Sequence, residues 1–373
     1  MKILAVFHPT SFCNLDCTYC WAPDRNNKKQ LDVNLAELAI KQIYSKSYVT
    51  QVDFLWLTGE PLVMGVSYFE SVIKLCNSLK PLNVDITFTV QTNGTLIDER
   101  WIEFFKMNDF VVGVSLDGPQ HLHDLQRRNK SGKSTFDLTI RGIDLLIRHE
   151  VKGGALCVIT KNTLDIEPEE LFFFFHNKGI SWSYLIEAQI GENKANNNSL
   201  SKDDLPRLRV FLQRLMSLWG KFPNSFIKDF DYLAKKLFTT ENKIPDFDTL
   251  ACLDILNILP DGSFYWGSPE LLSATNQELG FLRDDLFATD IFDIRLKPEF
   301  ISYQSAIYNG IEKCKQECPY FIGCRGGNPS HKYYEAKRFD ITEHLTCQLN
   351  DQVISELMLS EMEITYQNEA ISK

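Results

Sequence analysis

Apolar positions along this chain follow two rhythms. Short, strand-like apolar runs occupy Ile3–Phe7, Gln51–Leu57, Val84–Val90, Phe110–Ser115, Gly154–Ile159 and Ile180–Leu185. Between them, apolar residues recur at helical spacing over Asn34–Tyr48, Val66–Leu79, Asp98–Met107, Phe136–His149 and Glu167–His176. Strand–helix alternation predicts a parallel sheet with helical crossovers. Six such units form an α/β fold, either a partial (β/α)6 version of the eightfold barrel or a doubly wound open sheet.

The pattern then changes. Gln189–Asp204 is polar and rich in Asn, as in a loop or lid. Leu205–Lys221 and Phe226–Phe238 read as helices. Ile255–Leu259 and Phe264–Trp266 flank Pro260-Asp261-Gly262 and predict a β-hairpin. A cysteine-rich stretch, Cys314 to Cys347, follows, and a last helix is expected over Asp351–Tyr366. The expected division is a barrel over 1–200, a helical linker over 201–245 and a C-terminal domain over 246–373.

Composition narrows the class. Hydrophobic residues make up 44% of 373, enough for a full core. No apolar run reaches membrane-spanning length, and no export signal opens the chain. Ten cysteines without such a signal point to a reducing, cytoplasmic setting, where clustered thiols hold metal more often than disulfides. A net charge of −10 speaks against nucleic acid as a partner.

Cys13, Cys17 and Cys20 form a C-x3-C-x2-C run directly after the first strand. Three thiolates can hold three corners of a [4Fe–4S] cluster and leave the fourth iron open. A structural zinc site is the alternative, although zinc motifs usually carry a matching second half. Cys314, Cys318, Cys324 and Cys347 could complete a second cluster or hold zinc. Three further segments stand at strand ends, where α/β folds place their sites: Thr58-Gly59-Glu60-Pro61, Gln91-Thr92-Asn93-Gly94 and Ser115-Leu116-Asp117-Gly118-Pro119. Each alone is ordinary turn chemistry.

Together, in strand order behind the cysteine run with Tyr19 before its third cysteine, these segments resemble the radical S-adenosylmethionine (SAM) superfamily over about residues 3–190. The resemblance implies that Gly59 and Glu60 bind the SAM amino group, that Asn93 lies near SAM, and that Ser115 contacts its ribose or methionine part. Thr58 stands where many relatives have glycine. His123-Asp124-Leu125-Gln126-Arg127 is similar to a His-Asp-x-x-Arg signature of peptide-modifying members. Its Arg127 (or its neighbour Arg128) would pair with the SAM carboxylate, unless the segment is a solvated basic loop. The C-terminal cysteines resemble a SPASM domain, which in full form carries two auxiliary clusters. Here Gly267 and Asn328 stand at two ligand positions, which implies one auxiliary cluster and a leftover Cys252. The expected cofactors are thus two [4Fe–4S] clusters, one SAM-binding and one auxiliary, and SAM. Cys76 and Cys157 are expected to be core thiols.

Two stretches resemble a narrower subgroup: Cys20-Trp21-Ala22-Pro23-Asp24-Arg25, and Cys324-Arg325-Gly326-Gly327-Asn328-Pro329-Ser330-His331-Lys332 with its Pro-x-x-Lys. That subgroup includes cyclophane-forming maturases of ribosomally made, glycine-rich precursor peptides. The resemblance implies an oxidative peptide cross-linking enzyme that joins an aromatic ring carbon to a side-chain β-carbon through a 5′-deoxyadenosyl radical. Its partners would be a precursor peptide and a low-potential donor such as a flavodoxin or ferredoxin. Thioether formation, epimerisation or Cys/Ser oxidation share the same core, and a zinc-stabilised binding protein is the non-catalytic rival. No catalytic residue is assigned; Glu187 and Glu270 are candidate bases by position alone. With twelve residues ahead of the first cysteine, a fused leader-binding module is not expected there.

Overall fold

The computed structural model describes residues 1–186, 197–222, 224–238 and 252–371. Six strands run parallel: β1 (Lys2–Phe7), β2 (Gln51–Trp56), β3 (Asp85–Thr92), β4 (Val111–Ser115), β5 (Gly153–Ile159) and β6 (Trp182–Ile186). They lie side by side in chain order. A doubly wound sheet would reverse direction at a switch point. No reversal occurs, so the six units form the partial barrel arrangement.

The crossovers are α1 (Val33–Tyr44), α2 (Val66–Ser78), α3 (Glu99–Met107), α4 (Gln120–Gln126), α5 (Phe136–Arg148) and α6 (Pro168–Lys178). Predicted helix 34–48 ends early, at Tyr44, where the Ser45 hydroxyl and N–H both donate to the Gln42 carbonyl. The helices press an aromatic layer onto the sheet. Trp56, fully buried, packs against Phe69 (5.3 Å between centroids) and Phe110 (5.6 Å). Cys76 and Cys157 are buried core thiols, as expected.

The predicted hairpin exists, but it is fused to the barrel. β7 (Ile255–Ile258) pairs in parallel with β1, from Leu4↔Ile255 to Phe7↔Ile258. β8 (Ser263–Trp266) and β9 (Arg283–Asp285) continue antiparallel, giving one nine-stranded sheet. Gly262 takes φ +89° at the turn, a backbone region that favours glycine.

After α7 (Leu205–Lys221) and α8 (Lys228–Phe238), the C-terminal part is more helical than predicted. α9 (Pro298–Glu317) spans 20 residues and carries Cys314 in its last turn. α10 (Pro329–Ala336) follows the third cysteine. A π-helical turn, Cys347–Gln352, leads into α11 (Val353–Ile371). Of the predicted 189–204 loop, residues 189–196 lie outside the described set, as does Glu187. Its end forms a capping box, Ser201 with Asp204, ahead of α7. Among the described residues, no helix is long and apolar enough to cross a membrane.

Candidate active site

The loops after β1, β2 and β3 meet around the first three cysteines. Gly59 sits at φ +62°, and a Cβ there would lie 2.4 Å from the Thr10 carbonyl oxygen and 2.5 Å from that of Phe12. Only glycine lets the cysteine loop cross this close. The Glu60 N–H then donates to the Phe12 carbonyl at 2.9 Å. The Glu60 carboxylate is 1% exposed and accepts from Leu62 N (3.0 Å), Thr92 Oγ1 (2.6 Å) and Asn93 N (2.8 Å). Burial nonetheless holds its carboxyl above the ordinary carboxylate range.

Asn93 is the hinge of the group. Its Nδ2 donates to Asn14 Oδ1 at 2.8 Å and approaches Cys13 Sγ at 3.9 Å. Its Oδ1 accepts from Thr95. Asn14 also donates to Thr95 Oγ1, a bridge the sequence motifs do not reveal. Ser115 accepts from Gln91 Nε2 at 3.0 Å. The segment after Cys20 folds back: Arg25 Nη1 reaches the Cys17 carbonyl (3.0 Å) and Asp16 (2.8 Å), and Cys13 N donates to the Arg25 carbonyl.

The His-Asp-x-x-Arg segment is a short helix, α4, rather than a solvated loop. Arg127 is its C-cap and points inward, 6% exposed. Its Nε donates to Asp117 Oδ2 at 3.0 Å, and its Nη1 reaches Cys17 Sγ at 3.9 Å. The guanidinium lies 5.2 Å from the centre of the Tyr19 ring, whose hydroxyl donates to the same Asp117 oxygen at 2.5 Å. Asp117 Oδ1 accepts from Val158 N. Asp117 was visible in sequence only as part of a strand-end turn. Arg128 is exposed and bonds backbone carbonyls of Asp124 and Gly132, which removes it as the inward arginine. His123 is buried and bonds Thr135, whose hydroxyl donates to the Arg127 carbonyl.

The three thiols feel one another. Burial foremost, then Glu60, Cys17 and Cys20, pushes Cys13 up to about 12. Burial pushes Cys17 up to about 12 as well, against the pull of Arg127. Thiols held up in this way would release their protons on binding a metal.

The C-terminal cysteines also share one neighbourhood. Cys347 is raised by burial, then by Asp351, Cys324, Cys318 and Cys314. Burial pushes Cys324 up to about 12. Two basic side chains stand among them. Lys332, buried on α10, lies 3.8 Å from Cys314 Sγ. His344 Nδ1 accepts from Cys347 N at 3.3 Å and faces Glu335 Oε1 at 3.2 Å. Burial lifts the Asp351 carboxyl to about 6.

The positions of a second auxiliary set are differently used. Asn328 is the N-cap of α10, its Oδ1 accepting from Ser330 N at 2.9 Å. A Cβ on Gly267 would stand 2.9 Å from the hydroxyl of Tyr303, a buried ring that packs on Phe339 at 4.9 Å. Burial, and after it the nearby Cys252, raises the Tyr303 phenol. Glu270, the other positional candidate for a base, holds the Ser268 hydroxyl. Arg127 stands beside Cys17 and Lys332 beside Cys314. Among the described residues no three Cys, His, Asp or Glu side chains converge as ligands of a single metal ion, while thiol sulfur is the donor that iron–sulfur clusters take.

The Radical SAM superfamily profile matches residues 7–175. A cysteine-type anaerobic sulfatase-maturating enzyme of Clostridium perfringens is 30% identical, over 85% of this chain and 86% of its own. The chain belongs to the radical SAM superfamily. An uncharacterized protein of Synechocystis sp. is 31% identical over 96% of this chain and 92% of its own. In fold, this radical SAM enzyme is similar to anSMEcpe with bound AdoMet and Cp18Cys peptide, at TM-score 0.78, 23% identity and full coverage of both chains. It is also similar to Streptococcus suis SuiB bound to precursor peptide SuiA, at TM-score 0.66 and 20% identity, covering 93% of this chain and 76% of SuiB. The enzyme is thus related to sulfatase maturases, and it shares its fold with SuiB. Membership of this superfamily gives it SAM and a SAM-binding [4Fe–4S] cluster as cofactors.

Proposed function

We propose that this radical SAM enzyme is an oxidative peptide maturase that forms a carbon–carbon cross-link, a cyclophane, between an aromatic ring and a side-chain β-carbon. In this reading Cys13, Cys17 and Cys20 hold the SAM-binding cluster. Cys314, Cys318, Cys324 and Cys347 hold the auxiliary cluster. The chain divides into a barrel to residue 200, a linker to 245 and an auxiliary-cluster domain to 373.

When bound, these groups supply a radical that removes one hydrogen atom from a carbon, and an acceptor for one electron. The chain's own residues position and shield. Gly59 lets the cysteine loop close, and Glu60 ties it to β3 through Thr92 and Asn93. Arg127 gives its Nε to Asp117, which leaves only part of its guanidinium for a SAM carboxylate. Ring closure removes two hydrogens from the peptide, the second as a proton and an electron. The peptide is the substrate, and a flavodoxin- or ferredoxin-like donor is the electron source.

The observation that carries the cyclophane reading is the position of the Pro-x-x-Lys segment. Asn328 caps the helix that brings Lys332 against Cys314, so the stretch that resembles the cyclophane-forming subgroup lies beside one of the proposed auxiliary ligands, which supports the reading. A second reading, oxidation of a Cys or Ser side chain to an aldehyde, is favoured by the identity to the sulfatase-maturating enzyme.

Anaerobic co-expression with candidate precursor peptides that carry aromatic, Cys and Ser residues separates the two. A mass loss of two hydrogens per ring, blocked fragmentation across an aromatic residue and no reaction with a hydrazine support the cross-link. A hydrazine-reactive product overturns it in favour of the aldehyde.

A further inference from the structure

We propose that Lys332 is a positioning residue for the auxiliary cluster: its ammonium donates to the sulfur of Cys314 and raises the reduction potential of the cluster that this thiolate holds. The inference rests on the reading above that Cys314, Cys318, Cys324 and Cys347 are the ligands.

Lys332 is 2% exposed, and its Nζ stands 3.8 Å from Cys314 Sγ. A long, flexible, strongly hydrated side chain is rarely taken inside without a negative partner. Among the described residues, no carboxylate lies within ion-pair reach of this ammonium. Among the described residues, the group placed to compensate it is the Cys314 sulfur.

Backbone features on two helices fit Lys332 to this place. Asn328 and Pro329 open α10 and set its direction one turn before Lys332. On α9, Gly310 lies one turn before Cys314. A Cβ at Gly310 would meet the Phe339 carbonyl oxygen at 2.4 Å and stand 3.3 Å from Lys332 Nζ. The bare Cα therefore lets the lysine lie along the helix toward the thiol.

A four-thiolate [4Fe–4S] cluster is anionic, and each added electron makes it more so. A buried cation in hydrogen-bond contact with a ligand sulfur favours the reduced state over the oxidised one. Hydrogen bonds to sulfur and local charge are among the factors that set iron–sulfur potentials. Lys332 thus makes the auxiliary cluster the better acceptor for the electron that the peptide gives up on oxidation.

The test uses the full chain, reconstituted anaerobically, with iron and sulfide analysis and a redox titration followed by electron paramagnetic resonance. The comparison is wild type, Lys332→Met and Lys332→Arg. With iron content equal in all three, Lys332→Met lowers the reduced-to-oxidised ratio of the auxiliary cluster at least tenfold at the wild-type midpoint, about 59 mV. Lys332→Arg stays close to wild type.

A fully loaded Lys332→Met protein with an unchanged potential overturns the inference and leaves the ligand reading standing. Wild type that binds iron for only one cluster overturns that reading itself. Should Lys332→Met lose iron, Lys332→Gln replaces it as the neutral variant. Loss of iron from both overturns the statement in favour of a role in cluster assembly.

Discussion

Arg127 donates from Nε to Oδ2 of Asp117 over 3.0 Å, with the two side chains only 8% and 3% exposed. The same Asp117 oxygen accepts from Tyr19, inside the cysteine loop. One buried carboxylate thus joins β4, the end of α4 and the loop that carries Cys17 and Cys20. Without it, the guanidinium would be an unpaired charge next to Cys17.

Asp117→Asn is therefore expected to destabilise the enzyme by about 3–5 kcal/mol, the usual cost of breaking a buried pair from one side. Tyr19→Phe removes one hydrogen bond and should cost about 1–2 kcal/mol. Anaerobic denaturant unfolding of both variants checks the ranking, and equal small effects would show that the pair is not the anchor.

Gly59 and Gly65 both hold positive φ, at +62° and +78°. Only Gly59 has atoms in the path of a Cβ; Gly65 has none within 4 Å. Gly65→Ala should cost about 1–3 kcal/mol of backbone strain and keep its iron. Gly59→Ala should displace the cysteine loop and lose iron from the SAM-binding cluster. Metal analysis and thermal unfolding of the pair distinguish strain alone from strain plus collision.

Burial lowers His8 and His123 from 6.5 to about 4, against the bond that His8 donates to Asn257 Oδ1 in the first and the charge of Asp117 in the second. The unfolded chain therefore binds more protons than the folded one between pH 6.5 and 4. The stability these neutral imidazoles contribute is complete above pH 6.5 and is lost as pH falls to about 4, by about 3 kcal/mol for each. Unfolding free energies measured over that range should fall on acidification, with a shallower slope in His123→Gln.

Cys347→Ala should cut bound iron from about eight to about four per chain, with the SAM-binding cluster retained. Cys252→Ala should leave iron content unchanged, because Gly267 and Asn328 supply no thiol to join it. Loss of iron from the Cys252 variant would mean that this cysteine is a ligand after all.

The six parallel strands and most of their helices were legible because each carries its own local apolar rhythm. The cysteine triplet, Gly59, Glu60 and Asn93 were legible because their order follows the strand order. α4 was hidden, since seven residues hold too few turns for a periodic signal. α9 has buried positions at 300, 303, 307, 310, 311 and 314, a helical series interrupted by Gly310 and polar insertions. The Asp117–Arg127 pair and the Lys332–Cys314 approach join residues by tertiary packing, which no local pattern encodes. The parallel pairing of β7 with β1 spans some 250 residues and was invisible for the same reason.

That pairing has a consequence for any shortened form of the protein. β7 occupies the hydrogen-bonding edge of β1 over Leu4–Phe7, the strand that leads straight into the cysteine loop. A fragment ending before β7 would carry this edge bare, as a ready template onto which another chain can add a strand. The C-terminal hairpin is thus also a guard against self-association, standing at the place where aggregation would do the most damage.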